Sequence, residues 1–301
     1  MKAQSIEAVA TWCGICLIQS AAADDSALAD SATLPNLVEE SDDWPAFEVA
    51  VDFCTQQLTY GLVDNRDPIV TLEAATGWHG FTFESAMIFD TTAWGEKHGG
   101  YGNRQGHYQE LSFGPGYTHT FAAEDTPFLP TAVSTFANYI YEYHPPVRKD
   151  LGESNPETQF VHVGAGLPDL WLAPAFSTEF DIDNEGGAIY LAAKVGHAFA
   201  LIKATGARKT DPLALSLGTG VGFGNPKRNR YDADFDAYAF KDVWASVTLD
   251  WNITDRVTLS PYAAIYEQLH RRLCEAARHT VEGETLTSAQ LIVGVHLLAC
   301  F

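Results

Sequence analysis

The chain ends on Leu286-Thr-Ser-Ala-Gln-Leu-Ile-Val-Gly-Val-His-Leu-Leu-Ala-Cys-Phe301. Counting back by twos from Phe301 gives Ala299, Leu297, Val295, Val293 and Leu291, all apolar. A period of two is the strand period, so these side chains share one face. The opposite face mixes Gly294, His296 and Cys300 with Ile292 and Leu298. Two architectures accommodate such a strand. One is a soluble protein that ends in a buried edge strand; the other is a barrel whose last strand turns its apolar face to lipid.

The pattern recurs upstream from Phe47, in segments of about ten residues cut by turn residues. The first runs from Phe47 to about Val63, with Phe47, Val49, Val51 and Phe53 against Asp52, Cys54 and Gln56. Next come Ile69 to Gly77 with Glu73 on its polar face, and Phe81 to Phe89 with Glu84. Leu111, Phe113 and Tyr117 oppose Glu110, Ser112, Gly114 and Gly116, and a segment from Thr131 to Tyr143 sets Tyr139 and Tyr141 against Asn138 and Glu142. Phe160 to Gly166 is the sixth. The seventh, Leu170 to Asp181, carries Glu179. Ile189 to Val195 carries Lys194, Leu213 to Phe223 alternates with glycine, and Val243 to Trp251 carries Asp250. Val257 to Ile265 and the terminal stretch complete twelve. The fold class expected is all-β, a 12-stranded antiparallel transmembrane barrel of meander order.

The connections test that reading separately. Such barrels have short periplasmic turns and longer extracellular loops, and an even strand number leaves both chain ends on one side. Trp78-His79-Gly80, Leu167-Pro168-Asp169 and Thr254-Asp255 are short, with Ala122 to Pro130 and Gly206 to Pro212 somewhat longer. Thr91 to Gly106, His144 to Glu157, Asn225 to Ala239 and Glu267 to Thr285 alternate with them and are long; Asp64 to Pro68 and Asp183 to Gly186 are exceptions. Tyr60, Trp78, Tyr117, Tyr141, Tyr143, Trp171, Trp251 and Tyr266 lie near strand ends, where interfacial aromatic girdles form.

The terminal stretch resembles the C-terminal signature of bacterial outer-membrane β-barrels. That resemblance implies an assembly signal in Leu291, Val293, Val295, Leu297, Ala299 and Phe301, recognised by the barrel assembly machinery. It covers roughly Phe47 to Phe301. A looser resemblance to the TorF-like porin family lies around Tyr60-Gly61 and Trp78-His79-Gly80-Phe81, and it implies no defined substrate.

The N-terminus agrees with export. Lys2, an apolar run from Ala8 to Ile18 and Ala21-Ala22-Ala23 before Asp24 read as a signal peptide over 1–23 cleaved near Ala23, although Glu7 is unusual there. Trp12-Cys13-Gly14-Ile15-Cys16 looks like a redox motif, but no room precedes it for the strand that motif requires. Residues 24–45 are acidic, with no Lys or Arg, and read as a flexible periplasmic lead-in. The sharper alternative is a plug inside the barrel, which is assigned to residues 46–301.

The formal net charge of −21 disfavours nucleic-acid binding, which needs a basic footprint. Cys54, Cys274 and Cys300 are too few and too far apart for a disulfide framework or a zinc site. Gly218, Gly220, Gly222 and Gly224 mimic a phosphate loop, but they keep strict strand alternation and form a side-chain-free inner stripe instead. No histidine pair has metal spacing, though His107, His119 and His162 have the chance to meet across strands. No cofactor is expected.

With the apolar set facing lipid, the inward set is Asp52, Glu73, Glu84, Glu110, Glu142, Glu179 and Asp250, with Lys194 as the firmly assigned base. A soluble barrel does not bury so many carboxylates unpaired, whereas a water-filled lumen holds them and concentrates cations. These eight residues are the expected lumen lining. Arg271, Arg272 and Arg278 sit in a loop that could fold in and mask them. The leading expectation is a passive outer-membrane channel for small cationic or neutral solutes, in contact with outer-membrane lipid, and not an enzyme. The alternatives are a structural or adhesive barrel with a blocked lumen, acting through its surface loops, and a barrel-embedded lipid hydrolase with a Ser–His pair at its rim.

Overall fold

The computed structural model describes residues 45–59, 62–65, 68–91, 108–123, 131–144, 157–183, 186–206, 209–233, 235–279 and 288–301. The expected leader and, apart from Pro45, the acidic lead-in lie outside the described residues.

Twelve strands form one closed antiparallel barrel. They are β1 (Ala46–Cys54), β4 (Ile69–Trp78), β5 (Phe81–Asp90), β6 (Tyr108–Phe121), β7 (Val133–Tyr143) and β8 (Glu157–Gly166), followed by β9 (Ala175–Asp181), β10 (Ile189–Ile202), β11 (Leu213–Gly224), β12 (Ala239–Thr254), β13 (Val257–Gln268) and β14 (Ala289–Cys300). Each pairs with its sequence neighbours, and β14 returns to β1 with Val51 opposite Leu297 and Asp52 opposite His296. Closure satisfies every edge, which hydrocarbon demands because an unpaired backbone group there costs several kcal/mol. A separate hairpin, β2 (Gln57–Thr59) and β3 (Leu62–Asn65), lies between β1 and β4.

The shortest turns agree with the expected ones. His79 and Gly80 both take positive φ (51° and 82°), as a two-residue hairpin turn requires. Asp255 and Arg256 join β12 to β13. At the same end Phe301 and Phe47 exchange backbone hydrogen bonds, with the Phe301 N–H donating at 2.9 Å.

Two expectations need correction. The first strand does not run to Val63. It stops at Cys54, because Thr55-Gln56-Gln57 is polar on both parities and would place polar groups against lipid. The seventh strand starts at Ala175, not Leu170. Before it the chain turns through Leu170 to Ala173, bracketed by Pro168 and Pro174, with Ala173 at φ 41°. Two loops also hold helices that strand periodicity does not reveal, α1 (Pro226–Ala233) and α2 (Arg271–His279). Asn225 caps α1 by accepting the Arg228 N–H at 2.9 Å, and Pro226 follows at the first helical position, where no N–H is needed.

Candidate functional site

Alternation of exposure along the strands defines an inside and an outside. On β14, Leu291, Val293, Val295 and Leu297 are 40–60 % exposed, while Ile292, His296 and Leu298 are 0–3 % exposed. The outward face stays apolar around the barrel through residues such as Phe47, Val51, Leu72, Phe83, Phe113, Phe176, Leu191, Leu217 and Val247. The inward face carries carboxylates. A soluble protein reverses that distribution, so the surface seeks lipid. This chain is a transmembrane β-barrel.

All eight residues expected to line a lumen fall on the inward parity of the barrel. Asp52, Glu84, Glu110, Glu142, Glu179 and Asp250 are buried at 2–7 % exposure. Glu73 and Lys194 are half-buried. The structure does not gather them into one ring. It places several of them in local networks that join neighbouring or next-but-one strands.

One network crosses β1, β14, β13, β12 and β11. Tyr262 Oη donates to Asp52 Oδ2 at 2.9 Å, and His296 Nδ1 lies 3.7 Å from Asp52 Oδ1. Ser260 Oγ donates to Asp250 Oδ1 at 2.8 Å and Ser216 Oγ to Oδ2 at 3.0 Å. Ser260, His296 and Asp52 sit opposite one another on successive strands, in the residue order of a hydrolase triad. The geometry is not that of a triad. The Ser260 hydroxyl is given to Asp250, and the His296–Asp52 separation exceeds a hydrogen bond. The lipid side of the same rows is Pro261, Val295 and Phe53, with no catalytic group.

A second network joins β10 to β12 across β11. Tyr190 Oη donates to the two Asp242 oxygens at 3.0 and 3.2 Å. The middle strand offers Gly222 beneath this bond, and Trp244 lies over Gly220. The same device recurs on β14, where Gly294 lies beneath Tyr262 on its way to Asp52. The alternate glycines of β11 therefore make room for ring side chains of neighbouring strands.

Two inward bases escaped sequence reading. A bulge on β12 between Phe240 and Val243 turns both Lys241 and Asp242 inward, each at 0 % exposure. Strict alternation would have sent Lys241 to lipid. Its Nζ sits 5.9 Å from the Tyr190 ring centroid, a cation–π placement. Arg228 of α1 is 4 % exposed and pairs with Glu179 at 3.5 Å. The masking base at the loop end is thus Arg228. Arg271 is exposed and pairs along its own helix with Glu275, and Arg278's side chain lies outside the described residues. Arg228→Gln is expected to lower unfolding stability in lipid by about 2 kcal/mol, since a bond between charged groups is lost in a buried place; urea titration of the refolded barrel measures it.

The loop end is narrowed by the β2–β3 hairpin. Leu58, 1 % exposed, packs in a cluster with the inward Ile69, Ile88, Trp244, Tyr266 and Ile292. Beside it Leu273 of α2, wholly buried, packs on Phe235 and Ala239. Tyr266 is therefore no girdle residue; it shares the inward parity of Tyr262 at 2 % exposure. Trp78, Tyr117, Trp171 and Trp251 do lie outward at 41–67 % exposure, and Tyr60 lies outside the described residues. His119 and His162 do not meet. His119 stacks on Tyr117 on the outer face and His162 is buried inside, while His107 lies outside the described residues. Among the described residues no group of three or more His, Cys, Asp or Glu is placed to hold a metal ion. Cys54, Cys274 and Cys300 are free thiols.

No family model matches this sequence, and no curated protein does. Solved structures similar to it include the NanC porin (9 % identity, 83 % of this chain and 98 % of that one, TM-score 0.44). The KdgM porin in complex with disordered oligogalacturonate is similar at 10 % identity over 83 % of this chain and 97 % of that one, TM-score 0.41. The outer-membrane channel DcaP of Acinetobacter baumannii is similar at 8 % identity over 85 % and 96 %, TM-score 0.34. At these values the likeness is one of barrel shape alone.

Proposed function

We propose that this barrel is a passive channel in the outer membrane of a Gram-negative bacterium, passing small solutes with a preference for cations or neutral molecules. The observation that carries the reading is a charged interior inside an apolar exterior. A barrel with no aqueous role gains nothing from buried carboxylates, each of which costs several kcal/mol of desolvation before its partners offset it. The inward acids outnumber the inward bases Lys194, Arg228 and Lys241, so the summed field attracts cations even after local pairing. Export through the leader 1–23 and insertion by the barrel assembly machinery through the terminal strand are parts of the same reading.

The test is single-channel recording of the refolded mature protein in a planar bilayer under a KCl gradient. Steady conductance with a cation-selective reversal potential is the expected result. Anion selectivity overturns the role of the acidic interior, and silence from a folded sample overturns the channel. Silence would favour the second reading, a blocked barrel that acts through its surface loops, for which the buried Leu58 at the loop end is the supporting observation.

A further inference from the structure

Exposure inside the barrel is uneven. The inward positions of β13 and β14 are closed: Tyr262, Ala264, Tyr266, Ile292, His296 and Leu298 are all at or below 7 %. β10 differs. Its inward Ala192, Lys194 and Gly196 are half-buried; residues 198–202 beyond them are exposed on both parities, past the last β9 pair at Lys194. Their neighbours Ser177 on β9 and Gly218 on β11 are also half-buried. On β4, across the barrel from β10, Glu73 and Ala75 are half-buried, but Glu73 Oε2 is itself a buried atom. The hairpin cluster around Leu58 fills space next to β1, β4, β5, β12, β13 and β14, away from β10.

Resting on the channel reading, we infer that the aqueous path runs off-centre along β10 and that Lys194, more than the buried carboxylates, sets its ion preference. An ion responds most to charges it approaches through water. Screening cuts interactions off within about 8 Å at physiological salt, so proximity to the solvated path decides which charges count. Asp52, Asp242 and Asp250 each accept side-chain hydrogen bonds and are covered by packed side chains. Lys194 opposes the summed acidic field where the path is open, so the native preference for cations is held below what the acids alone would produce.

Two measurements test this. In a background with Cys54, Cys274 and Cys300 replaced by alanine, single cysteines are placed by Ala192→Cys, Ser177→Cys and, as a buried inward control, Ala86→Cys (3 % exposed in the native chain). A charged, membrane-impermeant maleimide added to the refolded barrel should label the first two and spare the third. This readout needs no conductance, so it separates the path from the channel: labelling as expected with a silent bilayer upholds the open wall while the channel reading fails. In conducting protein, Lys194→Gln should move the reversal potential toward stronger cation preference, with Glu73→Gln and Glu84→Gln giving smaller shifts. Protection of both Ala192→Cys and Ser177→Cys, or a shift from Glu84→Gln as large as that from Lys194→Gln, overturns the inference.

Discussion

Gly222→Val is expected to leave little folded barrel after refolding, while Gly186→Val, in the β9–β10 loop, leaves folding largely intact. The Cβ of a residue at 222 would fall on the Tyr190 hydroxyl and the Asp242 carboxylate, which meet directly over the glycine. Either the bond breaks or β11 shifts from its ladder. A lost bond to a charged acceptor together with overpacking amounts to roughly 3–6 kcal/mol, a large share of a marginal stability. Gly186 has no positive φ, and only the Asp183 carbonyl, 3.8 Å away, lies near its Cβ position, so a side chain is accommodated there. Gly294→Val should fail as Gly222→Val does, because Tyr262 crosses Gly294 to reach Asp52. Heat-modifiable migration on gels reports the folded fraction. Normal folding of both inner-wall valine variants would show that the Tyr–Gly–Asp crossings do not hold the wall together.

Leu58→Asp is expected to raise single-channel conductance. Leu58 holds the β2–β3 hairpin in the loop-end mouth purely by apolar packing against Ile88, Trp244, Tyr266 and Ile292. A carboxylate there would be buried without a designed partner, at a cost of at least ~3 kcal/mol. Each ~1.4 kcal/mol shifts an equilibrium tenfold, so the docked hairpin becomes the minor state. The barrel wall does not depend on it, since β2 and β3 pair only with each other. Larger conductance with unchanged heat-modifiability is the predicted pair of results. Unchanged conductance would place the narrowest point elsewhere.

The sequence by itself determined the class of fold, its strand number and the side each strand turns to lipid. The reason is that lipid enforces strict alternation: one misplaced charge on the outer face is costly, so parity is written plainly, as in Leu291, Val293, Val295 and Leu297. Tight turns such as His79-Gly80 were legible because positive φ demands particular residues. The inward acids followed from the same parity. The rest depended on tertiary structure. Lys241 faces inward only because a bulge on β12 breaks the alternation, and a bulge leaves no periodic trace. Arg228 reaches Glu179 from a helix inside a loop, across residues distant in sequence. The glycines of β11 look like a bare stripe until Tyr190 and Trp244 are seen lying over them. Which inward charges meet water was decided by how large side chains fill one wall and leave β10 open, because the filling of a barrel is a property of facing strands and not of any one of them.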